Sequence, residues 1–547
     1  MYLTLCSTRK VQTFIFNSSK LVENIGASYL VAQSLSGWLK EALPAATNVL
    51  ENGLLDEKKN INSGIDAEVI YSGGGNSLII FGNENLSKEF GKTLSRLMLE
   101  RAPGLEMIIV GHEFSAEDSL FESMNALHRK LKLAKEFSAG SSPLSTISVT
   151  ASGSSGANPA IAGEKDFDGK ECLLDAETIA KTHAGRTQLG NSGPAEKWLN
   201  DKIPLPGSSY AYSRELNELG GKKGEFSYIA VIHADADDMG NRIMKMCEKF
   251  RTPDKNQELI SSLRKFSMTI EESATGALKE AVDRLVKHAE SQRNGKDSPP
   301  GNNTLELGQD PRSGRTLLPL RPLIIGGDDI TIVCDARIAH SFAQTFISAF
   351  ERLSASLPDG EGGASMSAGI AIVKSHYPFA RAYALAKELT RSAKLERKKR
   401  EDSTRKHSFL DWAVMQSGVL RSLSAMREYE YLTPEGSLCL RPVSLKNSVE
   451  ANDYRTWAYV EHCVREFQSD QWSSKRNKVK DLRDSLREGR ASVEDFRKKF
   501  LGGGKLPEIA GAPDDFSESG WYGKHCAYFD ALELMDFFIS IDQPGVN

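Results

Sequence analysis

The chain has 547 residues, a formal net charge of −4 and 40% hydrophobic residues, which predicts two to four domains with apolar cores and argues against a global basic surface for nucleic acid. Its seven cysteines form no CxxC pair, so we expect neither a zinc site nor a disulfide framework, and we predict a reduced, cytoplasmic location. No apolar run reaches the length of a membrane span and the N-terminus does not resemble a signal peptide, so we expect no membrane partner.

Residues 1–137, here called the first unit, alternate between strand and helix patterns. Gly73, Gly74, Gly75 and Asn76 separate two short apolar runs and predict the turn of a β-hairpin. Residues 138–225 differ in texture: 139–163 is rich in Ser, Gly and Ala and predicts a linker or small domain, with one short helix. The predicted strands of these two segments are 2–6, 67–72, 77–81 and 105–110. The predicted helices are 27–43, 86–101, 116–137 and 177–183.

Residues 226–406, here called the second unit, repeat the element order of the first unit, which indicates an internal duplication. A buried strand ends at Asp235, and a long helix follows with apolar residues every three or four positions from 259 to 285. A polar loop at 292–315 precedes the hairpin of 323–334, LIIGGDDITIVC, and we predict a helix at 338–353, a strand at 365–373 and a helix at 378–399.

The acidic residues of the second unit carry the chemical prediction. Asp328 and Asp329 lie at the hairpin tip beside Gly326 and Gly327, whose backbone freedom lets a ligand come close. Asp235 ends the preceding strand, and carboxylate oxygens suit Mg²⁺ or Mn²⁺ holding a phosphate chain. Each motif alone also fits a plain turn or a helix N-terminus. Together they are typical of a palm-type nucleotidyltransferase or cyclase.

Residues 407–547 predict a helical C-terminal domain. Helical spacing occurs at 454–467, at 479–486, at 528–539 and among Trp412, Val414, Met415, Val419 and Leu420. We expect no strand of any length in this segment.

Four strings resemble, in order, the catalytic palm of the large subunit of type III CRISPR effector complexes: DADDMG (235–240), IIGGDDITIV (324–333), SMSAGIAI (365–372) and YALAKELTRSAK (383–394). Diguanylate cyclases share the outline but have Asp/Glu, Glu and Phe after the two glycines. KVQTFIF (10–16), KLVENIGASYL (20–30) and YSGGGNSLIIF (71–81) resemble the degenerate first palm of the same family. The resemblance implies an α+β fold with two ferredoxin-like palm domains and a helical C-terminal domain.

The resemblance also implies an activity, the joining of ATP into cyclic oligoadenylates in antiviral defence. It assigns Asp235, Asp328 and Asp329 to catalysis and to Mg²⁺ or Mn²⁺. The residues expected at the nucleotides are Ala236, Asp238, Met239, Gly240, Gly326, Gly327, Lys394, Gly73, Gly74, Gly75 and Asn76. Ser367 is a further candidate for contact with a base edge. Guide RNA, small CRISPR effector subunits and activating target RNA are the implied partners.

Two features of the family are missing from the sequence, and three other functions remain open. There is no His-Asp doublet, so we expect no nuclease activity, and the paired cysteines of the family's zinc module are absent. The alternatives are a stand-alone defence cyclase controlled by a ligand, a diguanylate-type cyclase and a nucleotide-binding scaffold subunit without activity. The base, the product length and the activator are not set by the sequence.

Overall fold

A computed structural model describes residues 1–137, 149–154, 158–165, 170–186, 193–207, 209–219, 227–293, 304–305, 307–311, 313–400, 407–415, 422–450, 453–469, 472 and 476–542. The architecture is α+β, as predicted, with two palm-type sheets covered by helices. Within these ranges, no helix is both long and apolar enough to cross a membrane.

The first unit folds around a four-stranded antiparallel sheet in the order β2 (Ala67–Gly73), β3 (Asn76–Phe81), β1 (Tyr2–Arg9) and β4 (Glu106–Glu113). The inner strand β1 is buried except at its two end residues, and helices cover the sheet. The elements are β1 (Tyr2–Arg9), α1 (Val11–Phe16), α2 (Leu21–Ser34), α3 (Gly37–Ala42), β2 (Ala67–Gly73), β3 (Asn76–Phe81), α4 (Glu84–Arg101), β4 (Glu106–Glu113) and α5 (Leu120–Phe137), with a short 3-10 turn at Ile61–Ser63.

The segment predicted as a linker contains ordered elements where it is described. They are β5 (Ala162–Lys165), β6 (Glu171–Leu174), α6 (Ala176–Gly185), α7 (Pro194–Lys202) and β7 (Tyr210–Tyr212), with a 3-10 turn at Leu216–Glu218. Helix α6 packs so closely on α2 that a Cβ added at Gly26 would lie 1.8 Å from the carbonyl oxygen of Lys181. This part of the chain is therefore fixed to the first unit rather than being a simple connection; residues 138–148 and 155–157 of the predicted linker lie outside the described residues.

The second unit is built on a six-stranded sheet. Its elements are β8 (Tyr228–Ala236), α8 (Met239–Cys247), α9 (Asn256–Arg293), β9 (Thr316–Leu318), β10 (Leu320–Gly326), β11 (Asp329–Asp335), α10 (Ala339–Leu353), β12 (Met366–Lys374) and α11 (Phe379–Arg400), with 3-10 turns at Glu248–Phe250, Pro253–Lys255 and Ser354–Ser356. Two strands of the C-terminal segment, β13 (Phe409–Val414) and β16 (Val443–Ser444), complete the sheet, whose order is β10-β11-β8-β12-β13-β16. The apolar stripe of α9 is buried, as its spacing predicted.

Strand β13 corrects the helix predicted around Trp412 and Val414. It pairs in parallel with β12, and every one of its residues is buried. A strand buried on both faces has no alternation of apolar and polar residues, so its periodicity could not be told from that of a buried helix. Met415 directly follows the strand, while Val419 and Leu420 lie outside the described residues.

The C-terminal segment combines helices with short strands. The helices are α12 (Leu423–Tyr431), α13 (Trp457–Gln468), α14 (Arg476–Glu488), α15 (Arg490–Leu501), α16 (Asp514–Ser519) and α17 (Phe529–Leu534). The strands are β14 (Leu432–Thr433), β15 (Gly436–Ser437), β16 (Val443–Ser444), β17 (Trp521–Tyr522) and β18 (His525–Cys526). Because β16 pairs with β13, the C-terminal segment extends the sheet of the second unit, and the prediction of a segment without strands was wrong.

Backbone details support the internal duplication. Both hairpins carry a register shift at the same place before the turn, at Ile70 in the first and at Leu323 in the second. Among the described residues, the non-glycine residues with positive φ are Lys10 and Asp238, at 52° and 56°, and each precedes the helix that follows the first strand of its unit. Such left-handed positions are uncommon outside glycine, so the match is informative.

The two units contact each other through buried polar groups as well as through apolar side chains. Arg264 of α9 donates to the Glu68 carboxylate at 2.7 Å and to the Val69 carbonyl at 3.0 Å, both on β2. The Ser28 hydroxyl of α2 donates to the carbonyl of Leu323 on β10. Helix α9 therefore joins the first unit to the sheet of the second.

Candidate active site

The strand register brings the three predicted carboxylates to one end of the second sheet. Asp329 lies opposite Asp235 on the neighbouring strand, and Gly326 pairs with Asp329 across the hairpin. Gly327 and Asp328 are left as the two turn residues; Gly327 has a φ of +74°, which glycine adopts without strain. The amide of Ala236 donates to the Asp328 carbonyl at 2.9 Å and fixes the turn against the end of β8.

The hairpin of the first unit has the same strand register and turn hydrogen bond, but no acidic residue at the equivalent positions. Asn76 lies opposite Ser7, as Asp329 lies opposite Asp235. The amide of Thr8 donates to the Gly75 carbonyl at 2.9 Å, which makes Gly75 the equivalent of Asp328.

The two hairpin turns face each other across the contact between the units. A Cβ added at Gly74 would lie 3.8 Å from Asp328 Oδ1. A Cβ added at Gly73 would lie 3.5 Å from the Ser267 hydroxyl of α9, and the Asn76 amide donates to the Gly74 carbonyl at 3.2 Å. The glycine-rich turn of the first unit therefore lines the space in front of the acidic turn.

The acidic turn holds its charges in an unfavourable environment. Burial, and then the charges of Asp235 and Asp329, together raise the pKa of the Asp328 carboxyl to about 6. Lys394 acts in the opposite sense: its ammonium lies 2.9 Å from Asp235 Oδ1 and donates to the Ala236 carbonyl at 3.2 Å. The predicted lysine of α11 is thus part of the carboxylate cluster.

The residues after Asp235 have structural partners. Asp237 is buried and accepts hydrogen bonds from Ser365 at 3.0 Å and from Ser367 at 2.9 Å. Ser367 is therefore turned into the protein, and the idea that it touches a base edge was wrong. Asp238, at the start of α8, forms an ion pair with Arg397.

The other two candidates after the strand lie in the first turn of α8. Met239 is buried, whereas Gly240 is exposed and a Cβ added there would meet no atom within 4 Å.

Sequence reasoning missed two side chains beneath the carboxylates. His233 lies two residues before Asp235, and its Nδ1 atom is 3.2 Å from Asp329 Oδ1. Tyr383 of α11 packs edge-on against the His233 ring at 5.5 Å. The period of two along β8 places His233 on the same face as Asp235, which could have indicated the first of them; Tyr383 reaches the site only through the tertiary packing of α11.

The carboxylates of the acidic turn form a donor set that suits a divalent cation. Within the described ranges, no three His, Cys, Asp or Glu side chains lie together in an arrangement that could hold a metal ion as it stands. Asp329 Oδ1 is nevertheless buried without a hydrogen-bond partner, and Asp328 is destabilised by two like charges. Carboxylate oxygens under such repulsion are ligands that Mg²⁺ or Mn²⁺ prefers, so the residues fit such an ion.

Comparison with known proteins agrees with this geometry. Residues 228–403 match the family model described as Cas10/Cmr2, second palm domain. The second unit is therefore similar to this domain over nearly its whole length. The resemblance to the large subunit of type III CRISPR complexes is thereby confirmed, and it rests on the segment that carries the acidic hairpin.

Two solved structures extend the similarity in fold over nearly the whole chain. A crystal structure of Csm1 in T.onnurineus matches with a TM-score of 0.51 and 16% identity, over 99% of this chain and 70% of that one. A Csm1-Csm4 cassette in complex with cA3 matches with a TM-score of 0.50 and 15% identity, over 98% of this chain and 69% of that one. No curated protein matches the sequence. At these identities the structures establish a shared fold.

Proposed function

We propose that this chain is a metal-dependent nucleotidyltransferase that joins ATP into cyclic oligoadenylates within a type III CRISPR-type defence system. The observation that carries the proposal is the meeting of Asp235, Asp328 and Asp329 at one sheet end, opposite a glycine-rich turn, in a Cas10/Cmr2 second palm domain. The fold shared with a Csm1-Csm4 cassette solved with cA3 supports this product class and a small CRISPR subunit as partner.

The side chains divide the work in the proposed mechanism. Asp235, Asp328 and Asp329 would hold Mg²⁺ or Mn²⁺, which when bound supplies Lewis-acid polarisation of the α-phosphate and lowers the pKa of a ribose hydroxyl. Lys394 brings a positive charge to the same cluster and neutralises part of the triphosphate. The hydroxyl of one ATP attacks the α-phosphorus of the other, and pyrophosphate leaves.

The two turns bind the two nucleotides from opposite sides. The acidic turn with Gly326 and Gly327 takes the triphosphate of the donor, and the turn at 73–76 takes the acceptor through backbone groups and small side chains. Gly74, beside Asp328, has no side chain that could block this approach.

The experiment incubates purified protein with Mg²⁺ and each labelled NTP, with and without guide and target RNA, and resolves the products by mass. Cyclic oligoadenylate from ATP is expected, and Asp328→Ala with Asp329→Ala should abolish it while the circular dichroism spectrum stays unchanged. Product from the double variant would contradict the assignment of the carboxylates.

The same assay separates the alternatives. Product without RNA indicates a stand-alone cyclase, and GTP as the preferred substrate indicates a diguanylate-type enzyme. ATP binding without any product, under all conditions, indicates a scaffold subunit.

A further inference from the structure

Tyr383 forms a bridge between the first unit and the floor of the carboxylate cluster. Its ring lies 4.0 Å from the ring of Phe16 on α1 and 5.5 Å from the His233 ring on β8. The side chain is buried, and Lys387, one turn further along α11, donates to Gln12 of α1 at 2.6 Å. Helix α11 is therefore joined to α1 of the first unit by an aromatic contact and a hydrogen bond.

The Tyr383 hydroxyl and Asp329 Oδ1 are buried beneath the acidic turn, and neither makes a hydrogen bond of good geometry. One is a donor and the other an acceptor, and poor pairing of such groups in the interior is costly. Burial raises the pKa of Tyr383 above its ordinary value, and the charges of Asp329 and then Asp235 raise it further. A hydrogen bond with the Thr331 side chain opposes this shift in part.

His233 completes the surroundings of Asp329 on the same side. Its Nδ1 atom lies 3.2 Å from Asp329 Oδ1 and 3.3 Å from the Thr331 hydroxyl. Thr390 of α11 donates to the His233 backbone carbonyl at 2.9 Å, so α11 fixes the strand that carries the imidazole. The Asp329 carboxylate therefore borders the His233 imidazole, and the Tyr383 ring packs against that imidazole in turn.

We propose that Tyr383 and His233 are positioning residues for the Asp329 carboxylate, and that Phe16 of the first unit holds Tyr383 in place. The first unit would then contribute to the acidic site of the second through side-chain packing, in addition to facing it with its glycine-rich turn. The effect on turnover rests on the proposed function; the side-chain coupling does not.

A double-mutant cycle tests the coupling without any need for activity. Hydrogen exchange of the β11 amides is measured for the full chain, Tyr383→Phe, Asp329→Ala and the double variant. Tyr383→Phe keeps the ring contacts and removes only the hydroxyl. We expect the effect of Tyr383→Phe on the opening equilibrium of β11 to differ by about tenfold between the wild-type background and the Asp329→Ala background, a coupling of the size measured between neighbouring side chains. Equal effects in both backgrounds would overturn the proposal.

Kinetics provide the second readout. Tyr383→Phe should lower kcat for ATP on the order of tenfold with KM unchanged, because Asp329 acts on the reacting groups rather than on ground-state binding. Phe16→Leu should cause part of the same decrease in kcat. The double variant with Tyr383→Phe should have nearly the kcat of Tyr383→Phe alone. The control is Tyr528→Phe, which removes the hydroxyl of another buried tyrosine that donates to Pro507 in the C-terminal segment, and which should leave kcat unchanged.

The two readouts fail in different ways. A wild-type chain that makes no product refutes the proposed function, while the exchange cycle still decides the positioning role. An additive cycle, or a kcat for Tyr383→Phe equal to that of wild type, refutes the positioning role even if oligoadenylate is made.

Discussion

Replacing Arg264 by alanine tests how far the contact between the two units depends on one buried ion pair. The Arg264 and Glu68 side chains are 5% and 0% exposed and their charged atoms are 2.7 Å apart. Truncating one partner of such a pair leaves the other charge buried, which costs about 3–5 kcal/mol. Glu68 would keep the hydrogen bond from the Ile61 amide at 2.7 Å, and Val69 would keep that from Asn48 at 2.9 Å. We therefore expect the lower end of this range, about 3 kcal/mol.

The assay is thermal denaturation of the full chain, where a loss of this size lowers the melting temperature by roughly 3 °C if the two units unfold together, because the entropy of unfolding grows with the number of residues. The matched control is Arg264→Met with Glu68→Leu, because apolar replacement of a whole buried pair is often neutral. Since Ser267 and Ile270 of α9 lie against Gly73 and Gly327 of the two turns, Arg264→Ala should also reduce product formation. A melting temperature within about 1 °C of wild type would refute the reasoning.

Three further changes test other parts of the chain. His340 is fully buried, and burial and the charge of Arg441 lower the pKa of its imidazole to about 3, so the folded state favours the neutral ring. The stability that depends on the neutral ring is therefore fully present above the ordinary pKa of 6.5 and is lost as the pH falls toward 3. His340→Phe should therefore remove about 2–3 kcal/mol of acid destabilisation between about pH 6.5 and 4.5, and denaturation curves that shift in parallel for both proteins would contradict this. Gly26→Ala should push α6 from α2 and lower the melting temperature, unlike Gly163→Ala, whose Cβ meets nothing within 4 Å. Lys394→Met should raise KM for ATP on the order of tenfold by removing the cation beside Asp235, and an unchanged KM would exclude Lys394 from nucleotide binding.

Local chemistry explains what the sequence predicted well. The acidic hairpin could be predicted because two glycines and two apolar runs determine a tight turn within a dozen residues. The place of Asp235 followed from the same logic, since a buried strand ending in a carboxylate sets both its position and its face. The roles of these residues in catalysis and metal binding stay predictions, because a strand register fixes where side chains lie and not what they bind.

Tertiary contacts explain what the sequence did not predict. Strand β13 resembles a helix in sequence because neither of its faces meets water, so its neighbours in the sheet decide its conformation. Tyr383 and Arg397 reach the site from α11, which is far from β8 along the chain, and no local pattern marks either of them. The docking of α6 on α2 depends on Gly26 and Gly185, which look like ordinary glycines until the two backbones meet.

The loss of acids from the first hairpin follows from the way the two turns face each other. Gly74 borders Asp328 Oδ1, and the pKa of Asp328 is already raised to about 6 by burial and by its two acidic neighbours. An aspartate at position 75, the equivalent of Asp328, would bring a further negative charge to the same space, and like charges in a partly buried site disfavour ionisation of them all. If both facing turns carried a full set of carboxylates, their combined negative charge would therefore be larger than the Lys394 ammonium can offset. Under the proposed function, the acidic turn would hold the cations and the neutral turn would receive a nucleotide, so this asymmetry predicts a single reacting centre in each chain.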